Sequence, residues 1–151
     1  MAHRSGGPNA APSKLRWSLQ CWCVAFLVLL CLDGVWLSFA VPRWYAPAFR
    51  AITHQPKNAF RVGYGFIAWA LLAGAVVHCC WPCMAKSATY GALAGLVIYG
   101  VYNSTMLSTF TRYPVSVALT DTCWGIIALT VASSLTSFFM YRKERLRTQR
   151  T

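Results

Sequence analysis

Apolar residues run along this chain in long uninterrupted blocks, not in short alternating patches. Positions 17–32, 62–85, 87–111 and 122–141 contain no Asp, Glu, Lys or Arg. A helix needs roughly 20 mainly apolar residues to cross a bilayer core. The blocks therefore predict four membrane-crossing helices, over about 18–41, 60–81, 88–109 and 115–140. Pro42 and Pro82 fall just past the first and second, where a ring clash and a missing N–H predict a stop. Residues 42–59 read as a loop with Pro42, Pro47 and Pro56, and its Trp44, Tyr45 and Phe49 suit the membrane interface. Residues 83–87 read as a short turn, and Arg112, Tyr113 and Pro114 as a tight one. The predicted fold class is all-α, an antiparallel bundle of four transmembrane helices with short connections. Residues 1–17 form a flexible basic N-terminal tail, 18–141 the four-helix transmembrane domain, and 142–151 a polybasic C-terminal tail.

An alternative reading makes the first block a signal peptide. Arg4, Lys14 and Arg16 would be its basic region and Ser38-Phe39-Ala40 its small-x-small cleavage site. The stretch is long for that purpose, and Asp33 and Trp36 interrupt its end, which favours a retained helix.

Composition narrows the class further. Hydrophobic residues make up 57% of the 151 and charged residues 11%, against about 25% charged in a soluble domain. Disorder is excluded over most of the chain, and the composition is not that of an ordinary soluble globule. The net charge of +11 comes from 14 bases against three acids. With four spans both termini share one side, which holds Arg4, Lys14, Arg16, Lys86 and the bases at 142, 143, 145, 147 and 150. Arg43, Arg50, Lys57, Arg61 and Arg112 fall on the other. The bias places the termini on the cytoplasmic or matrix side. Bases divided between two membrane faces do not suit nucleic acid. The expected partners are the lipid bilayer, anionic lipid head groups at the C-terminal tail and other membrane subunits, with the plainer reading that the tail's bases only anchor topology.

The acids change the picture most. Glu144 lies in the basic tail, but Asp33 and Asp121 lie within predicted spans, where an Asp costs about 2.5–3.5 kcal/mol at a helix centre. At a rise of about 1.5 Å per residue, Asp33 sits about 12 Å, and Asp121 and Asn103 about 9 Å, inside the face opposite the termini. Three helices thus place polar groups in one layer. Each acid is followed at i+3 by an indole, Asp33 by Trp36 and Asp121 by Trp124, so each has a Trp on its own helix face. The third helix presents Gly91, Gly95, Tyr99, Tyr102, Asn103 and Met106, with glycines that allow close approach. The fourth presents Asp121, Gly125, Ala128 and Ala132. The candidate intramembrane polar cluster is Asp33, Trp36, Tyr99, Tyr102, Asn103, Asp121 and Trp124. Its acids are expected to accept from tyrosines or indoles, or to pair with Arg61 or Arg112, and to face away from lipid.

These residues resemble a known family. Leu32-Asp33-Gly34-Val35-Trp36-Leu37 is similar to the first-helix signature of the small membrane proteins called domain-of-unknown-function family 2177. Tyr99-Gly100-Val101-Tyr102, the following Asn103-to-Thr109 run, Tyr113-Pro114-Val115 and Asp121-Thr122-Cys123-Trp124-Gly125 continue the likeness. It covers about 25–135 and is weakest over the second span. The resemblance implies a four-helix integral membrane protein and no particular reaction. Asn103 stands where the family usually has Asp, and Met106 where it usually has Asn. An activity that needs three acids would be lost or altered here.

The seven cysteines gather mostly at the terminal side. Cys80-Trp81-Pro82-Cys83 has CxxC spacing but lacks the βαβ context of a redox site. His78, Cys80 and Cys83 are the weak candidates for metal ligands; their spacing is not a recognised zinc pattern, and no metal or other cofactor is expected. S-acylation of juxtamembrane cysteines is a further reading; the plainest is that free Cys packs as a small hydrophobe. No phosphate loop, nucleophile elbow or metal-protease helix is present, so the reading leans away from an enzyme. The leading expectation is a small structural or accessory bundle with a buried polar layer. The alternative is a transporter-like or proton-handling protein that uses Asp33 and Asp121.

Overall fold

The computed structural model describes residues 14–53, 62–80 and 84–149. The N-terminal tail before Lys14, Pro56, Arg61, Pro82 and Cys83 lie outside the described residues. Among the described residues every regular element is helical. Helix α1 spans Lys14–Ala40, α2 Ala46–Thr53, α3 Val62–Cys80, α4 Ser87–Thr109 and α5 Val115–Thr148.

Each long helix buries a narrow stripe. On α1 the stripe is Cys21, Ala25, Leu29 and Asp33, and on α4 it is Ser87, Gly91, Gly95 and Asn103. Residues four apart lie on one helix face, so small side chains at that spacing let neighbouring backbones close in. A Cβ added at Gly95 would stand 2.5 Å from the Gly125 carbonyl, and one at Gly91 2.5 Å from that of Leu129. These glycines set the α4–α5 separation. Ala25, Leu29, Ala73, Val76, Cys80, Leu129 and Ala132 form a core shared by α1, α3 and α5.

Paired residues give the directions. Asn103 meets Asp121 while Gly91 faces Leu129, so α4 and α5 are antiparallel. Gln20 meets Lys143 and Asp33 meets Trp124, so α1 and α5 are antiparallel too. Three helical stretches are long and apolar enough to cross a membrane: Lys14–Thr53, Gly63–Cys80 and Val115–Lys143. Helix α4 has 23 residues, but its Ser, Thr, Asn and Tyr content keeps it out of that set. The four long helices expected from the sequence are present, and three of them meet the length and hydropathy of a membrane span.

A correction concerns Pro42. The chain does not break there. It passes through one π-helical segment, Val41–Tyr45, into α2. The Ala46 N–H donates to the Val41 carbonyl, an i to i−5 bond. This wider turn accommodates a residue that has no N–H to give. Arg43 lies over the Phe39 ring at 3.9 Å and donates to the Phe39 carbonyl at 3.4 Å. Residues 42–53, read from sequence as loop, are therefore helical, and α2 covers the α4–α5 turn. There Ala48, Tyr113, Val117 and Ala118 form a second small core. At the other end α5 stays helical to Thr148, so Arg142, Lys143 and Arg145 ride on its last turns.

Candidate functional site

The polar layer is built from both acids and from donors on every long helix. Asp33 is only 5% exposed. Its Oδ1 accepts from Trp124 Nε1 on α5 at 2.7 Å and its Oδ2 from Trp69 Nε1 on α3 at 2.8 Å. Asp121 Oδ1 accepts from the Tyr45 hydroxyl, which in turn accepts from Trp36 Nε1 at 3.2 Å. Asp121 Oδ2 accepts from Asn103 Nδ2 at 2.8 Å. That amide also reaches the Tyr99 carbonyl at 3.0 Å and Thr122 Oγ1 at 3.2 Å. Tyr113 donates to Asn103 Oδ1 at 3.4 Å. Tyr113 lies in the α4–α5 turn, where burial pushes its hydroxyl up to about 12, with Tyr102 and Asp121 adding to the rise.

The indoles are exchanged between the acids. Neither Trp serves the Asp three residues before it. Trp124 crosses to Asp33, and Trp36 reaches Asp121 through Tyr45. The two rings lie face to face, 4.5 Å apart at the centroids and 6° from parallel. An i, i+3 pair shares a face, but an indole N–H lies at the far edge of a rigid ring and projects beyond its own helix toward the neighbour. Among the described residues every donor to the two acids is neutral. Arg112 is exposed in the turn and pairs with neither acid.

Tyr99 and Tyr102 give no hydroxyl to the acids. The Tyr99 ring occupies the space a Cβ at Gly125 would need, and Tyr102 is 48% exposed. Both line a cavity of about 550 Å³ that also meets Asp33, Trp36, Trp69, Asp121 and Trp124.

Sequence reasoning missed Trp69, Tyr45, Tyr113 and Thr122. Trp69 was legible, because it lies seven residues into α3, about 10 Å along the axis and at the depth of the acids. Tyr45 lies beyond Pro42, whose missing N–H predicts a break, and the continuous π turn is what brings it to Asp121. Of the metal candidates, His78 is exposed, Cys80 is buried with Sγ on the Ser133 carbonyl at 3.4 Å, and Cys83 lies outside the described residues. No group of three or more His, Cys, Asp or Glu among the described residues is placed to share an ion.

Long apolar helices around a carboxylate layer satisfied by indole, phenol and amide define a helical membrane protein. The chain matches the family of predicted membrane proteins designated DUF2177 over residues 18–139 and belongs to it. No curated protein and no solved structure matches.

Proposed function

We propose that this protein is a small structural or accessory bundle of four membrane-spanning helices, held in register by its polar layer. One observation carries the reading: the four oxygens of Asp33 and Asp121 each accept from a different part of the fold. The donors come from α5, α3, the segment after α1, and α4. In hydrocarbon an unpaired carboxylate is costly, so a shift of any one helix strands a polar atom. Membrane helices gain little from hydrophobic burial against one another, and such a layer supplies orientation instead.

In this reading α4 is the fourth span. Its 23 residues reach about 34 Å. Residues 87–111 carry no charge, and Thr105 and Ser108 return their hydroxyls to their own backbone at 2.8 and 2.9 Å. Both termini then lie on the side of Lys86, Arg142, Lys143 and Arg145, the cytoplasmic or matrix side under the positive-inside bias. Those α5 bases meet anionic head groups, and other membrane subunits remain partners of the accessory role. A second reading, proton or ion handling through Asp33 and Asp121, is favoured by the cavity that touches both carboxylates.

The test is to replace each acid by Asn and measure unfolding in detergent beside any ion-dependent activity. Asp33→Asn should be the more damaging. Both its partners are indole N–H groups, which only donate, so the new amide N–H₂ opposes a donor. At Asp121 the Tyr45 hydroxyl can turn and accept. Unchanged stability with a lost ion-dependent activity rejects the structural reading in favour of the second.

A further inference from the structure

The geometry points to a binding site for an amphipathic organic cation, a protonated amine or quaternary ammonium with an apolar body, in the cavity between α3 and α4. The inference uses the four-span reading for its entry route, but its test does not depend on it. Three observations converge.

The first is size. The cavity is an open cleft of about 550 Å³, within the roughly 300–1,000 Å³ typical of small-molecule sites.

The second is its mouth. Ala68 and Leu71 of α3 and Ile98 and Tyr102 of α4 form the outer wall. Leu71 is 72% exposed and Ile98 38%. They lie on helices at the depth of the acids, so in a bilayer this opening faces acyl chains and not water. A ligand entering there carries enough apolar surface to partition into hydrocarbon.

The third is the floor. Asp33 and Asp121 both line the cavity, and among the described residues every group bonded to either is neutral. Around them stand Trp36, Trp69, Trp124, Tyr99 and Tyr102. Carboxylates combined with indole and phenol faces attract cations through charge and through the ring quadrupole, and most strongly where water is excluded. The same lining repels an anion. It offers a neutral apolar molecule contact area but no charge partner. Among the described residues no basic side chain pairs with either acid, and a bound cation provides a counter-charge.

The full-length protein is purified in an uncharged detergent. It is titrated with an octyltrimethylammonium salt, with the neutral octyl tert-butyl isostere and with octyl sulfonate, following tryptophan fluorescence and heat. Saturable binding of the ammonium at least ten-fold tighter than the isostere is expected, with no saturable binding of the sulfonate. Asp121→Asn should weaken the ammonium at least ten-fold. Because an acid variant can fail to fold, Ala68→Phe is tested beside it. It fills the mouth, touches none of the layer's hydrogen bonds, and should abolish binding while the melting temperature is kept. Equal affinity for ammonium and isostere, or ammonium binding that survives Ala68→Phe in a folded protein, overturns the site. Neither result bears on whether the polar layer holds the helices in register, which the Asn variants measure by unfolding.

Discussion

Replacing Gly95 with Ala tests the close approach of the α4 and α5 backbones. The new methyl would meet the Gly125 carbonyl oxygen at 2.5 Å, the Ile126 Cα at 2.7 Å and the Gly125 carbonyl carbon at 2.8 Å. All three are backbone atoms of α5, so no rotamer relieves the clash. Ordinary contact begins at 3.4 Å, so α4 must retreat by about 0.9 Å from the oxygen. Eight residues along the same helix, Asn103 holds Asp121 at 2.8 Å. A rigid retreat of that size stretches the bond to about 3.7 Å, past hydrogen-bond range. Overpacking of this kind costs about 1–3 kcal/mol. For a chain of this size that lowers the melting temperature by about 2–12 °C, at roughly 2–4 °C per kcal/mol. The assay is thermal unfolding in detergent, with Gly34→Ala and Gly74→Ala as controls. Neither control site has an atom within 4 Å of the added methyl. Both should melt at or above the parent, since Ala is favoured over Gly in a helix by up to about 1 kcal/mol. A Gly95→Ala protein that melts with the controls would refute the close-approach reasoning.

Three further outcomes are expected. Trp69→Phe keeps the ring but removes one of the two N–H donors to Asp33, and should cost about 1–3 kcal/mol in chemical unfolding, the usual penalty for stranding a buried polar partner. Tyr45→Phe removes a donor from Asp121 and an acceptor from Trp36 together, so it should be at least as damaging as Trp69→Phe in the same assay; a smaller effect argues against the relay. The Tyr113 hydroxyl, raised to about 12 by burial, binds its proton more tightly folded than unfolded, where the ordinary value is about 10. Its contribution is complete below pH 10 and is lost as pH rises through 12, so a Tyr113→Phe protein should lose stability less steeply than the parent over that window.

Much of this arrangement is legible in the sequence. Uncharged blocks of membrane-crossing length give the long helices, and counting residues inward from their ends puts Asp33, Asn103 and Asp121 at one depth. Freedom from charge does not separate α4 from the other three, because its mixture of Gly, Ala and Val with Ser, Thr and Tyr is uncharged yet only mildly apolar. Pro42 predicts a stop because an α-helical turn needs the N–H it lacks, and the wider π turn of Val41–Tyr45 removes that conflict. Partner choice within the layer was not legible either. Sequence spacing says which side chains share a face, while the reach of an indole decides which neighbouring helix its N–H meets, and that depends on helix separations fixed by Gly91, Gly95 and Gly125.

Trp36 and Trp124 belong to helices joined only through most of the chain's length, yet their rings lie almost flush. Chromophores this near and this parallel share their excited states, so the folded molecule carries its own optical signature of α1 meeting α5. Near-ultraviolet dichroism should therefore follow assembly of the bundle without any attached label, and should collapse in Trp36→Phe even where the protein stays folded.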